Sequence, residues 1–261
     1  MKSLSPGILK IIGHIPGVPA LLNLFFRRST PGLETELFGL HFTNPLGIGG
    51  TYDSEGSAMN LMDNLGFGFV EIESPSAKKL YKGRRDLVVA VDICSDKLYV
   101  SPEELKEECD RNLTVFYDFA DIFVINLHRQ SKAENKRLQS NEFISDVISQ
   151  ICNSRLYNDT YKPILLKLSP DASGESQDDM IDSAMHAGLD GIMIAPGENM
   201  LPALKHITER TRRNIITVAC GIKTPLQAKE ALESGASLVE IGAGFELKGP
   251  GIVKDTIKIL K

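Results

Sequence analysis

The sequence predicts an α/β fold, a (β/α)8 TIM barrel, on three observations. Short apolar runs alternate with amphipathic segments from Asn44 to the C-terminus, and there are eight such runs. Each run is apolar at nearly every position rather than at every second one, as expected for parallel strands covered on both faces. A doubly wound open sheet satisfies the same alternation, so the pattern alone leaves both architectures open.

The predicted strands are Asn44–Gly50 (NPLGIGG), Gly68–Ser74 (GFVEIES), Leu87–Cys94 (LVVAVDIC) and Ile122–Leu127 (IFVINL), then Pro163–Ser169 (PILLKLS), Gly191–Ala195 (GIMIA), Ile215–Cys220 (IITVAC) and Ser237–Gly242 (SLVEIG). Helices are predicted between them. Ser101–Ala120 opens on Ser-Pro-Glu-Glu, and Glu142–Tyr157 is amphipathic. Thr224–Ser234 has a Thr cap, Pro225 at the first helical position and Gly235 as the stop. The connection between the second and third strands, "PSAKKLYKGRR" (75–85), has eleven residues. That is barely enough for a right-handed crossover, so the barrel is expected to be eroded there. With no internal repeat or linker, the chain divides into a short apolar helical extension (1–35) and a barrel (36–261).

Composition narrows the function classes. With 261 residues, 42% of them hydrophobic, the chain can bury a large core. No apolar run is long enough to span a bilayer. A net charge of −5 argues against non-specific nucleic-acid binding. Cys94, Cys109, Cys152 and Cys220 are scattered without a Cys-x-x-Cys pair or a Cys/His cluster, which predicts no metal site and a reducing, cytoplasmic setting. The segment "LSPGILKIIGHIPGVPALLNLFFRR" (4–28) is interrupted by Pro and Gly, unlike a signal peptide. Two readings stand: short helices packed on the domain, or a peripheral contact with the inner face of the membrane. In the second, Leu24, Phe25 and Phe26 enter lipid and Arg27 and Arg28 meet the headgroups.

Chemistry in a barrel sits at the carboxyl ends of the strands. In order these carry Gly49-Gly50-Thr51, Glu73-Ser74, Asp92 with Cys94, and Asn126, then Lys167 with Ser169, Ala195-Pro196-Gly197, Cys220-Gly221 and Gly242-Ala243-Gly244. Lys167 lies within "ILLKLSP", so its ammonium needs a partner in an apolar mouth. A ligand anion, an electron-rich ring, or an ion pair with Asp92 or Glu73 would serve. Glycines after the last two strands form either a phosphate cup or simply two tight turns. "GIGGTYDSEG" (47–56) has the wrong spacing for a dinucleotide fingerprint. His14, His41, His186 and His206 fall in segments where structural roles are expected.

Several segments together resemble one family. "FGLHFTNPLGIGG" (38–50) with "LGFGFVEI" (65–72) is similar to the opening of the dihydroorotate dehydrogenases, particularly their membrane-associated, quinone-using class. "ILLKLSPD" (164–171), "AGLDGIMIA" (187–195) and "SGASLVEIGAGFELKGPGIVK" (234–254) resemble its later strands. The resemblance implies an FMN-binding barrel that oxidises dihydroorotate to orotate in pyrimidine synthesis. It would put Lys167 beside the flavin ring, where it favours negative charge on the reduced ring, and Asn126 against flavin and substrate. Gly221, Gly242 and Ala243 would hold the phosphate, while Gly49, Gly50 and Ser74 would line the flavin.

The departures from the family lie around the substrate. Ser54 stands where the family has a lysine, the Asn-Arg-Met-Gly-Phe loop is absent, and Asp92 replaces an Asn. Ala195-Pro196-Gly197 replaces Thr-Asn-Thr, and the following Gly-Gly-Leu-Ser-Gly segment is missing. In "VINLHRQSKAENKRLQ" (124–139) the family's spacing from Asn126 to Leu138-Gln139 is kept, which puts Arg129 at the position of the catalytic base. A guanidinium stays protonated and cannot abstract a proton; Ser131, two residues on, could act only if the loop were reshaped. Three expectations follow: a flavin oxidoreductase, a non-catalytic barrel serving as a ligand-binding or partner subunit, or a phosphate-ligand enzyme in which Arg129, Arg84 or Arg85 grips an anionic small molecule.

Overall fold

The computed structural model describes residues 30–73, 75, 80, 83, 85–94, 101–128, 141–171, 174–212 and 214–261, together with Ile15, Gly17 and Val18. A hairpin, β1 (Thr35–Leu37) and β2 (Leu40–Phe42), comes first. The barrel follows as β3 (Leu46–Ile48), α1 (Met59–Asn64), β4 (Phe69–Ile72), β5 (Val88–Asp92), α2 (Pro102–Phe116), β6 (Ile122–Asn126) and α3 (Asn141–Arg155). It continues as β7 (Ile164–Leu168), α4 (Gly174–His186), β8 (Gly191–Ile194), α5 (Met200–Arg210), β9 (Ile216–Ile222), α6 (Pro225–Glu233), β10 (Leu238–Ile241), α7 (Ala243–Lys248) and α8 (Gly251–Leu260).

Strands β3 to β10 are parallel and close on themselves, with β10 bonded to β3 through Val239↔Leu46 and Ile241↔Ile48. That pairing excludes the open sheet. The eight predicted strands all contain an observed one, trimmed by a residue or two, except that β9 runs on to Ile222. Helix ends follow their caps. Ser101 and Glu104 form a reciprocal capping box on α2, and the Thr224 side chain accepts from Gln227 N on α6. The connection 75–85 and the extension 1–29 lie largely outside the described residues. Among the described residues no helix is long and apolar enough to cross a membrane.

Side chains alternate in and out of the barrel wall. The outward set, including Ile48, Val70, Val89, Phe123, Leu166 and Ile192, packs under the helices. The inward set, including Phe69, Ala90, Val124, Leu165, Val218 and Leu238, fills the lower barrel with a dry layer. Phe69 needs room on the neighbouring strand: a Cβ at Gly47 would lie 2.1 Å from its ring. The hairpin, which lies outside the predicted strands, turns through Phe38 (φ 51°) and Gly39 (φ 78°), the paired positive φ of a two-residue hairpin. It delivers fully buried Phe42 beneath the barrel, edge-on to Phe69 at 6.3 Å.

The amino-terminal face is held by buried charges. Arg155 Nη1 donates to Asp190 Oδ2 at 2.5 Å, and that oxygen also accepts from Ile164 N at 2.9 Å. Arg85, weighed above as an anion grip, instead donates to Phe119 O at 2.7 Å and to Asp121 Oδ2 at 3.2 Å, just before β6. It therefore serves the face opposite the strand ends. Arg84 lies outside the described residues.

Truncating the plug, Phe42→Ala, should lower the unfolding free energy by about 3–5 kcal/mol through lost transfer energy and a cavity against Phe69. Urea denaturation checks this; an unchanged midpoint would show that the hairpin does not close the barrel.

Candidate functional site

One step above the dry layer, the same alternation turns polar. Phe69 is followed two residues on by Glu71 and then Glu73, Ala90 by Asp92, Val124 by Asn126, Leu165 by Lys167, Val218 by Cys220 and Leu238 by Glu240. The barrel thus carries a ring of buried polar side chains at the carboxyl ends of its strands.

Lys167 Nζ donates to Glu71 Oε2 at 2.5 Å and lies 3.8 Å from Glu73 Oε1. Both members of the close pair are buried, with side-chain exposures of 4% and 0%, so solvent screens it little. Burial pulls the Lys167 pKa down, but Glu71, and after it Glu240, Cys220 and Glu73, outweigh burial and hold it well above the ordinary lysine value. The main partner is therefore Glu71, which was not among the predicted partners; Glu73 is a secondary one. Asp92 is engaged elsewhere, accepting from Asn126 Nδ2 at 2.9 Å and from Cys94 N at 2.9 Å.

Glu240 sits on the neighbour of β3 and fills the space left by Gly49: a Cβ there would lie 2.6 Å from Glu240 Oε1. Its pKa is held well above the usual carboxyl range by burial first and by the negative charge of Glu71 second, with Lys167 opposing and a hydrogen bond to Glu71 adding to the rise. Burial and the neighbouring carboxylate thus favour the protonated form of Glu240. Gly50 is covered in the same way, since a Cβ there would lie 2.2 Å from Glu73 Cγ. Burial, followed by Glu240, pushes the Cys220 thiol up, so it stays protonated.

Above this ring lies a cavity of about 420 Å³. Gly49, Asn126, Lys167, Gly221, Gly242 and Ala243 of the predicted site all line it, joined by Tyr52, Glu73, His128, Lys223, Glu240 and Glu246. Gly50 does not line it, and Ser74, Arg129 and Ser131 lie outside the described residues. At the glycine end the two loops touch: a Cβ on Gly242 would meet Gly221 Cα at 2.9 Å. Gly221 has φ +81° and Pro196 beside it, so only glycine fits there. The Gly242 N–H is already committed to Ile222 O at 3.1 Å, and the Gly242 carbonyl accepts from Tyr52 OH at 2.9 Å. Burial, and then Glu246, push the Tyr52 pKa up to about 12, so this donor keeps its proton across the neutral range.

Glu71, Glu240, Tyr52 and His128 escaped the strand-end reading. The signal for the two glutamates was period two: each lies two residues beyond an inward apolar side chain of its own strand.

No family model matches the chain. A dihydroorotate dehydrogenase (quinone) of Christiangramia forsetii is 25% identical over 300 aligned positions, covering 92% of this chain and 88% of that protein. One from Thermus thermophilus is 26% identical, covering 91% and 84%. The chain is a divergent relative of the dihydroorotate dehydrogenases. An alignment of 300 positions exceeds the 261 residues of this chain, so the Christiangramia dihydroorotate dehydrogenase carries segments absent here. In fold, the ligand-free dihydroorotate dehydrogenase of Eimeria tenella matches with a TM-score of 0.78 at 18% identity, covering 98% of this chain and 94% of that one. The same Eimeria enzyme in complex with ferulenol gives a TM-score of 0.77 at 19% identity, covering 97% and 89%.

The raised pKa of Glu240 sets a sign for pH dependence. The native state keeps a proton that the unfolded chain releases near the ordinary carboxyl value of 4.5, so stability falls as pH rises from there toward the native value. Glu240→Gln, which imitates the protonated acid, should match the parent near about pH 5 and exceed it near about pH 8. Denaturant midpoints at the two pH values check this; parallel pH profiles would mean Glu240 is ionised in the fold.

Proposed function

We propose that this chain is a ligand-binding barrel of the dihydroorotate dehydrogenase type that does not oxidise dihydroorotate through a flavin. FMN is the cofactor the family resemblance implies, and the residues at the mouth do not fit it. The carrying observation is that Glu240 and Glu73 occupy the space over Gly49 and Gly50, the glycines expected to face the ring. A flavin also presents mainly acceptors along its polar edge, with a single ring N–H. Lys167, the donor expected to meet that edge, is drawn to Glu71 at 2.5 Å through one of its three N–H groups.

Charge points the same way. Negative charge on a reduced ring would sit near the Glu71 and Glu73 carboxylates, with Lys167 already drawn to Glu71 at 2.5 Å. Repulsion of that kind raises the barrier at the step where an enzyme of this type must lower it. The Arg129 at the base position supports the reading independently, because it has no lone pair to accept a proton. What remains is a cavity of about 420 Å³ at the mouth of a barrel, edged by charged and polar side chains, the setting of a small-molecule site.

The purified chain of residues 1–261 should be colourless, and added FMN should keep its free-solution fluorescence in its presence. A yellow preparation, or flavin fluorescence quenched on titration, would overturn this reading. Anaerobic dihydroorotate should then leave the visible spectrum unchanged.

A further inference from the structure

Two of the four thiols touch. Cys94 follows β5, and Cys109 lies on the inner stripe of α2, between Leu105 and Leu113 at four-residue spacing. All of them are buried, and the two sulfurs are 3.7 Å apart, close enough for one S–H to donate to the other. Both elements are pinned close to this contact. The capping box of Ser101 and Glu104 fixes the start of α2. Farther along the helix, Asn112 Nδ2 donates to Ile93 O at 3.1 Å, one residue before Cys94. The other two thiols have different neighbours: Cys152 donates to Gly188 O at 3.5 Å, and Cys220 lies among Glu240, Lys167 and Glu71.

Cys94 is also bonded to the residue that β6 presents to the cavity. Its sulfur accepts from Asn126 N at 3.0 Å, and its own N–H donates to Asp92 Oδ1 at 2.9 Å. Asp92 Oδ2 in turn accepts from Asn126 Nδ2 at 2.9 Å. Asn126 lines the cavity, so one sulfur touches both α2 and the backbone that positions a mouth residue. A disulfide holds its sulfurs about 2.0 Å apart, so bonding Cys94 to Cys109 must close most of the 3.7 Å gap. That movement draws the Cys94 sulfur toward α2 and away from the Asn126 N–H.

We infer that Cys94 and Cys109 form a redox pair coupled to the barrel mouth: a peroxide joins them, and the new bond withdraws the sulfur from Asn126. One thiolate attacks a peroxide oxygen, the O–O bond breaks, and a sulfenic acid forms as hydroxide leaves. The second thiol attacks that sulfur, the S–O bond breaks and water leaves. In sum the two thiols lose two electrons and two protons, and hydrogen peroxide becomes two waters. A small dithiol reverses the bridge by exchange. At rest the pair is quiet, because the hydrogen bond with Cys109 first, and burial second, push the Cys94 thiol well above its usual pKa. Neither the charge of the cavity nor the question of a flavin enters here, so this inference and the preceding reading fail separately.

The test treats the purified chain of residues 1–261 with hydrogen peroxide and counts thiols after denaturation. The four free thiols should fall to two, peptide masses should map the bridge to Cys94 and Cys109, and dithiothreitol should restore all four. Cys94→Ser or Cys109→Ser should abolish the bridge, and Cys152→Ser should keep it. In the bridged protein the backbone amide resonance of Asn126 should shift, and it should return on reduction. Four thiols surviving the peroxide, a bridge to Cys152 or Cys220, or thiol loss without a bridge would each overturn the pairing. An Asn126 resonance unmoved by the bridge would overturn the coupling to the mouth. Mapping on the unmodified protein decides the pairing even if a variant fails to fold.

Discussion

A lysine inside a barrel is the constraint from which the rest of the mouth follows. Lys167 alternates into the interior two residues beyond Leu165, and an ammonium there is intolerable without a counter-charge. Glu71, three strands away around the barrel, supplies it at 2.5 Å. Burial first, and then the charge of Glu71, hold the Glu240 carboxyl well above its usual pKa, and Glu240 fills the space over Gly49. Asp92 is left to hold Asn126, which turns its oxygen from the carboxylate. Each side chain at the mouth thus has its state set by its neighbour.

Beneath this polar ring the barrel follows a different logic. Its lower interior is a dry layer of Phe69, Val124, Leu165, Leu238 and their neighbours, sealed by Phe42 from the hairpin. Arg155 and Asp190 tie α3 to β7 and β8 at that same face, away from any ligand. Packing of this kind depends on strand residues and hardly at all on the loops above. A barrel can therefore lose the substrate loops of the dihydroorotate dehydrogenases and keep its fold, while what the mouth binds changes with a few side chains.

Much of the fold was legible because parallel barrel strands are buried on both faces, so each writes itself as a continuous apolar run. Caps such as Ser101 and Thr224 were equally readable, since the bonds they make are local. The site was legible in its membership: Asn126, Lys167, Gly221, Gly242 and Ala243 do converge on one cavity. Its chemistry was less so. Lys167 could be seen to need a partner, yet Glu71 lies 96 residues away in sequence, within a strand rather than at its end.

By itself, then, the sequence determined the strands, the helix caps and some of the polar residues at the strand ends, Glu73, Asp92, Asn126 and Lys167 among them, because these depend on periodicity and on contacts within a few residues. Only the tertiary structure decided that the sheet closes, that Arg85 serves the opposite face, and that the glycines at 49 and 50 make room for Glu240 and Glu73. Closure brings β10 against β3 and turns β4 toward β7, and only that proximity gives a buried carboxyl group its partner and its proton.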